Sequence, residues 1–265
     1  LFAALSLLTA SDFWQHAIHT NAHIVTALLA AASIFLLFRW RATKNDRWLY
    51  AFGVVAGLSV THHPLLVLGF PAYVVFIVTT QLAVETAPTN GAMPPLRQAQ
   101  GAAFGDTALA CGGRLRALRC RDFNRRTLIK LAGFGIVGLL PWLYFPIRSA
   151  IQPSPPFGPS DMNTLDGFLN LALARGLTNV NLFHFGWAEQ WHRLIVFWSL
   201  IQLQFAIPVI ALAAIGLIWL GRRDPRAALL LGLHATINLA FTMNSVQDVM
   251  AYFLVPLVSI SICIG

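Results

Sequence analysis

The stretch at 39–47, RWRATKNDR, decides the fold. It sets Arg39, Arg41, Lys44 and Arg47 between two apolar runs, 23–40 and 48–63. Hydrocarbon excludes charge, so such a stretch reads as a turn in water between two membrane crossings. Working outward, Arg97, Arg114, Arg116, Arg119, Arg121, Arg125, Arg126 and Lys130 lie between or beside the apolar runs 64–84 and 127–147. Arg222, Arg223 and Arg226 separate the runs 195–220 and 227–243. If each run crosses once, the three clusters share one side. Of the 18 Lys and Arg residues, only Arg148, Arg175 and Arg193 are then left for the other side. Positive residues stay cytoplasmic during insertion, so the arginine-poor face is expected to be extracytoplasmic.

Composition agrees with lipid as the solvent. The chain is 57% hydrophobic and 11% charged, against about 25% charged in soluble domains. The net charge of +8 reads as topology signals and headgroup contacts, not as a nucleic-acid surface. Cys111, Cys120 and Cys263 have no metal-ligand spacing and form no disulfide framework. The chain begins at Leu1 within one apolar run and stops at Gly265 within another, which reads as a piece of a longer polytopic protein truncated at both ends.

The expected architecture is an all-α, polytopic transmembrane helix bundle in one domain. A span needs about 20 apolar residues. Spans are expected at about 1–10, 23–40, 48–63, 64–84, 127–147, 195–220, 227–243 and 249–265, with a flexible cytoplasmic loop at 85–126 and a long outer loop at 148–194. The short 48–63 run must cross, or the largest basic cluster would face outward. Trp40, Trp48, Trp142, Trp198 and Trp219 fall near span ends, where indole rings anchor at the interface. In the outer loop, Leu165, Phe168, Leu169 and Ala172 recur at helical spacing, which predicts an interfacial helix lying in the membrane plane.

The ionisable groups gather on the outer side, and four constellations there can carry chemistry. In LPWLYFPIRS, Arg148 stands at the outer end of a span, just after Pro146. Its guanidinium can snorkel to headgroups or hold a phosphate through a planar fork. In the 153–176 stretch, Asp161 is either a helix cap or a site carboxylate, and Arg175 either a last-turn dipole partner or a ligand. In GLSVTHHP, His62 and His63 end a span, either as interfacial residues or as donors to a phosphate or hydroxyl. In NSVQDVMAYFLVP, Asp248 and Tyr252 lie four apart, facing a polar cavity or serving the helix N-terminus. There is no Walker loop, GxGxxG, HExxH or GxSxG, which removes support for ATP-driven and zinc-protease chemistry.

Taken in order, FWQHAI (13–18), GLSVTHHP (57–64), YFPIRS (144–149), PPFGPSDMNTLDGFL (155–169) and DVMAYFLVP (248–256) resemble a family of multi-span membrane proteins. The family is catalogued in bacteria as a domain of unknown function and includes a eukaryotic transmembrane protein O-mannosyltransferase. The resemblance implies a C-type glycosyltransferase-like fold and an inverting transfer of a mannose-type sugar from a polyprenyl-phosphate donor to an acceptor hydroxyl, outside a bacterial plasma (inner) membrane. It implies a lipid-linked sugar and a protein or glycan acceptor as partners. The substrate-binding residues would be Arg148, His62, His63, Asp161, Asp248, Tyr144, Tyr252 and Arg175. The acidic catalytic residue of this fold belongs to a first outer loop, expected before Leu1, so these residues alone are expected to be inactive. No cofactor is assigned. A divalent metal stays open, since two adjacent histidines do not make a site. Where the family has a Glu-x-Tyr step after its Phe-Trp motif, this chain reads Asn21, Ala22, His23. Two other classes stand beside the enzyme: a transporter of a lipid-linked sugar or anion, using the inward polar run His234, Asn238 and Asn244, and a noncatalytic membrane scaffold.

Overall fold

A computed structural model describes residues 1–11, 13, 22–85, 125–151, 162–172, 185–245 and 249–265. Of the loop expected at 85–126, residues 86–124 lie outside the described residues, while Glu85 ends one helix and Arg125 and Arg126 begin another. Among those described, the protein is all-α and has no strand.

Helix α1 is Phe2–Thr9, α2 is Ala22–Thr43 and α3 is Asp46–His62. A 3-10 turn at Pro64–Gly69 leads into α4, Phe70–Glu85. Helix α5, Arg125–Gly138, passes through a 3-10 turn at Leu140–Leu143 into α6, Tyr144–Ile151. Helix α7 is Leu165–Ala172. A turn at Trp187–Glu189 precedes α8, Gln190–Gln204, and then come α9 at Ile207–Arg223, α10 at Pro225–Asn244 and α11 at Val249–Ile264.

The RWRATKNDR stretch folds as the sequence demands. Nothing in α2 breaks a helix until Lys44, whose φ of 54° ends it in the left-handed region. The Lys44 N–H still reaches the Trp40 carbonyl at 2.8 Å. Asn45 then caps α3, its side chain accepting from the Arg47 N–H at 3.1 Å. Two residues thus reverse the chain. Arg39 lies over the Trp48 ring at 5.2 Å.

Arg97, Arg114, Arg116, Arg119 and Arg121 lie outside the described residues; contacts bring described members of the three basic clusters to one end of the bundle. Arg41 pairs with Asp224 at 2.5 Å, and Asp224 also accepts from the Ala227 N–H as the cap of α10. Partial burial, then the positive charges of Arg41 and Arg226, lower the Lys44 pKa from its ordinary value. Lys130 lies over Tyr50 at 5.9 Å, and Tyr50 stacks on Phe134, so α5 starts beside the start of α3 and runs parallel to it.

Helices α3 and α5 meet backbone to backbone. Gly53 and Gly57 form a GxxxG pair facing Leu131, Gly135 and Gly138. A Cβ on Gly57 would strike the Gly135 carbonyl, and one on Gly138 would strike the Val54 carbonyl. In lipid, helices gain little from burying apolar area, so close van der Waals approach at small residues is what joins them. Elsewhere the centre is filled by Phe38 on Phe76, Phe52 on Tyr73 and Phe197 on Phe253, each pair edge-to-face. Outward faces stay apolar, with Leu28, Phe35, Val74, Ile136 and Ile215 all more than half exposed. Such continuous apolar surface belongs in lipid.

Among the described residues, three helices are long and apolar enough to cross a membrane: His23–Thr43, Pro64–Leu82 and Pro225–Asn244. The count reaches five if each of two bent pairs is one span. The two bends fall within the spans expected at 127–147 and 195–220. Helix α8 stops at Gln204 and α9 leaves at 103° to it. Pro208 explains the break, since its ring would clash with the carbonyl four residues back, which belongs to Gln204. Pro141 acts the same way on Val137, and α6 departs from α5 at 43°.

The glycine contact is testable. Gly57→Leu is expected to destabilise the detergent-solubilised protein by about 1–3 kcal/mol through overpacking. Gly133→Ala, where a Cβ meets nothing within 4 Å, is expected to leave the thermal midpoint unchanged or raised. Equal midpoints for wild type and Gly57→Leu would contradict the contact.

Candidate functional site

The end of the bundle opposite the basic turns is where polar side chains converge. Pro64 fixes the first element there. It cannot continue α3 and drives the preceding residue to extended backbone, so His63 has φ −148° and ψ 110°. That turn throws the His63 ring out of the helix and towards its neighbours. It lies 5.2 Å from the His23 ring of α2 and 5.6 Å from the Tyr252 ring of α11. His23 and Tyr252 are 5.8 Å apart, edge-on, and Phe241 of α10 flanks Tyr252 at 6.1 Å. Three rings from three helices therefore form a triangle. Beside it is a small crevice lined by Thr26, His63, Asn238, Thr242 and Tyr252.

Beneath the triangle runs a polar ladder on α10. Residues His234, Asn238 and Thr242 repeat every four, so they share one face. The Asn238 amide donates to the His234 carbonyl at 2.8 Å and the Thr242 hydroxyl donates to the Asn238 carbonyl at 2.7 Å. The His234 ring is fully buried. Its Nε2 is 3.1 Å from the Tyr73 hydroxyl and its Nδ1 is 2.8 Å from Ser259 Oγ. Gly69 leaves the room for this, since a Cβ there would sit 3.0 Å from both His234 and the Tyr73 hydroxyl. A buried imidazole with both nitrogens engaged ties α4, α10 and α11 together at low dielectric cost.

Asn244 does not belong to that ladder, contrary to the polar run expected from the sequence. Its Oδ1 accepts from Gln190 at 2.8 Å and from Arg193 at 3.1 Å. Arg193 also donates to the Met243 carbonyl at 3.2 Å and pairs with Glu189 at 2.6 Å. Arg193 therefore fastens the start of α8 to the last turn of α10, where a cation complements the helix dipole.

Of the residues expected to bind substrate, the structure brings His63 and Tyr252 together. His62 is half-buried one position earlier on α3. Tyr144 and Arg148 stand on a different element, α6, where their i, i+4 spacing puts them on one face. Tyr144 is exposed and Arg148 half-buried. Asp161, Arg175 and Asp248 lie outside the described residues. The N-cap of α7 is made by Thr164, whose Oγ1 accepts from the Gly167 N–H at 3.1 Å. Helix α7 sits over the 3-10 turn that precedes α6, with Phe168 edge-on to Trp142 at 6.0 Å. Sequence reasoning passed over His23 and Thr242 as site residues. Thr242 was legible from its four-residue step after Asn238, whereas nothing in the sequence pairs His23 with His63. Among the described residues, no group of three or more His, Cys, Asp or Glu side chains is placed to hold a metal ion.

Long apolar helices carrying one polar end define an integral, multi-pass membrane protein of the all-α class. Over residues 1–86, which carry His23, His62 and His63, the chain matches the family model described as Protein O-mannosyl-transferase TMEM260 N-terminal domain. The matched range takes in FWQHAI and GLSVTHHP, two of the five motifs on which the family resemblance rests. No curated protein and no solved structure matches the chain.

The clamp at Arg193 gives a prediction. Arg193→Gln is expected to destabilise the protein by about 1–3 kcal/mol, since Asn244 and the Met243 carbonyl lose a charged donor. Glu189→Gln removes only a solvent-exposed partner and is expected to cost less than about 1 kcal/mol. Thermal unfolding in detergent ranks the two, and the reverse order would contradict the clamp.

Proposed function

We propose that this chain is the membrane portion of a glycosyltransferase that moves a mannose-type sugar from a polyprenyl-phosphate carrier to an acceptor hydroxyl, on the extracytoplasmic side of a bacterial plasma membrane. The observation that carries the reading is the division of charge. The basic turns share one end of the bundle, while the His23–His63–Tyr252 triangle lies at the other. A lipid-anchored anionic donor needs a fixed cation at the headgroup level, and Arg148 is assigned that role. His62, His63 and Tyr252 are assigned to hydroxyls of the sugar or acceptor, and Asp161, Asp248 and Arg175 to the same face.

In the reaction, the acceptor oxygen forms a bond to the anomeric carbon. The bond from that carbon to the phosphate oxygen breaks, and the phosphate leaves with the electron pair. The acceptor proton passes to the carboxylate that the family places in its first outer loop. Negative charge grows on the departing phosphate oxygen, so the Arg148 guanidinium stabilises the transition state more than the bound donor. Inversion at the anomeric carbon follows from a single displacement.

The test is turnover of a polyprenyl-phosphate-mannose donor by the full-length protein. Arg148→Ala is expected to lower turnover on the order of 10²-fold at normal expression. Arg148→Lys is expected to recover little, because an ammonium cannot reproduce the planar fork. Full turnover in either variant would remove the phosphate assignment.

A further inference from the structure

Helix α9 runs beside α10 and α11, close enough that a Cβ on Gly216 would strike the Cys263 carbonyl. Its last turn carries Arg222 and Arg223, and Arg223 lies over the Trp219 ring at 4.7 Å, an anchor at the basic end of the bundle. The 17 residues of α9 rise about 25 Å, close to the hydrocarbon thickness of about 30 Å. The other end of α9, at Ile207, therefore reaches the opposite membrane surface. Helix α8 meets it there at 103°. An axis turned that far from a crossing helix runs along the surface and not through it.

The contacts of α8 agree with that level. Gln190 and Arg193 hold Asn244 and the Met243 carbonyl in the last turn of α10. Phe197 is edge-on to Phe253, near the start of α11, at 5.7 Å, and the Ser11 hydroxyl donates to Gln204 at 3.4 Å. Arg193, Phe197 and Gln204 thus mark the stripe that faces the bundle. On the far side, Trp191, Leu194 and Trp198 recur at i, i+3 and i+7, with Trp187 in the turn before them, and this face carries no charge. Trp187 is 85% exposed and Trp191 69%. On the neighbouring flank, His192 and Ser199 stand seven apart, both polar and exposed. Across the bend, Leu203 and Ile207 carry exposed apolar surface on to the lipid-facing side of α9.

We propose that α8 is a membrane-surface helix whose Trp187, Trp191, Leu194 and Trp198 lie in the headgroup and upper acyl layer at the polar end of the bundle, with His192 and Ser199 turned to water. The crossing is then α9 alone, not the whole apolar run 195–220. Lipid is the occupant that the geometry selects. The stripe runs at the level where the membrane surface passes, and its apolar neighbours beyond the bend already face hydrocarbon. Indole suits that layer, because its ring is apolar and its N–H finds acceptors among the headgroups. The helix also gives the site its depth. Through Arg193 it holds the last turn of α10, and with it the Thr242 side of the crevice, level with the headgroups.

The experiment uses a cysteine-free full-length protein in phosphatidylcholine–phosphatidylglycerol nanodiscs, with one nitroxide at a time on a cysteine at position 191, 192, 194, 198 or 199. Relaxation by oxygen reports lipid, and relaxation by a water-soluble nickel chelate reports solvent. Positions 191, 194 and 198 are expected to favour oxygen and to share one depth, while 192 and 199 favour nickel. A depth that changes by about 10 Å from 191 to 198, the rise of seven helical residues, would mean that α8 continues the span and would overturn the proposal. Nickel access at all five positions also overturns it, as does protection from both reagents that grows with the protein-to-lipid ratio, the sign of a second copy on this face. Because the nitroxide replaces the indole, Trp191→Phe and Trp198→Phe serve as a second measurement. The fluorescence each variant loses relative to wild type is expected to be quenched by lipids brominated near the glycerol more than by those brominated near the bilayer centre. Quenching of that fluorescence by aqueous iodide instead would place the stripe in water and overturn the proposal.

Discussion

The cost of placing charge in hydrocarbon governs this molecule. It keeps the cations towards helix ends and the segments between helices, and those segments then dictate how the helices alternate. The Arg41–Asp224 pair and the stacking of Lys130 on Tyr50 are consequences, because they join segments already forced to the same end. Such half-exposed contacts add little stability each. Their importance is positional, since they register α2, α3, α5, α9 and α10 at one end of the bundle and leave the opposite end to the His23–His63–Tyr252 triangle.

Within the bundle, two devices replace the hydrophobic effect that lipid removes. One is contact at glycine, where α3 and α5 approach to backbone distance. The other is a buried imidazole that bridges α4 and α11 from α10. Glycine contact also has a second effect. The close approach that holds the helices also leaves an apolar recess on their outer side.

Much of this was legible in the sequence because hydrocarbon imposes a simple rule. The turn at 39–47, the helix end at THHP and the helix at 165–172 each follow from charge, proline or periodicity. The break at Gln204 was also written in the chain, as Pro208, but an unbroken apolar run masks a bend that costs no polar residue. Asn244 was read as part of an inward ladder because four- and six-residue steps look alike on a short segment. The structure gives it to Arg193 and Gln190, and gives the third rung to Thr242. The ring triangle was half legible. His63 and Tyr252 stood out as polar groups at span ends, but their meeting with His23 depends on how three distant helices pack, and no local pattern records that.

The most direct test of the account is sidedness. In a full-length protein with Cys111, Cys120 and Cys263 replaced by Ser, single cysteines at Ala150 and Thr43 can be probed in intact cells with a membrane-impermeant maleimide. Both positions are exposed, at opposite ends of the bundle. The account predicts labelling at position 150 in intact cells and at position 43 only after the membrane is opened. Labelling at 43 from outside, with 150 protected, would put the ring triangle and Arg148 in the cytoplasm and contradict it.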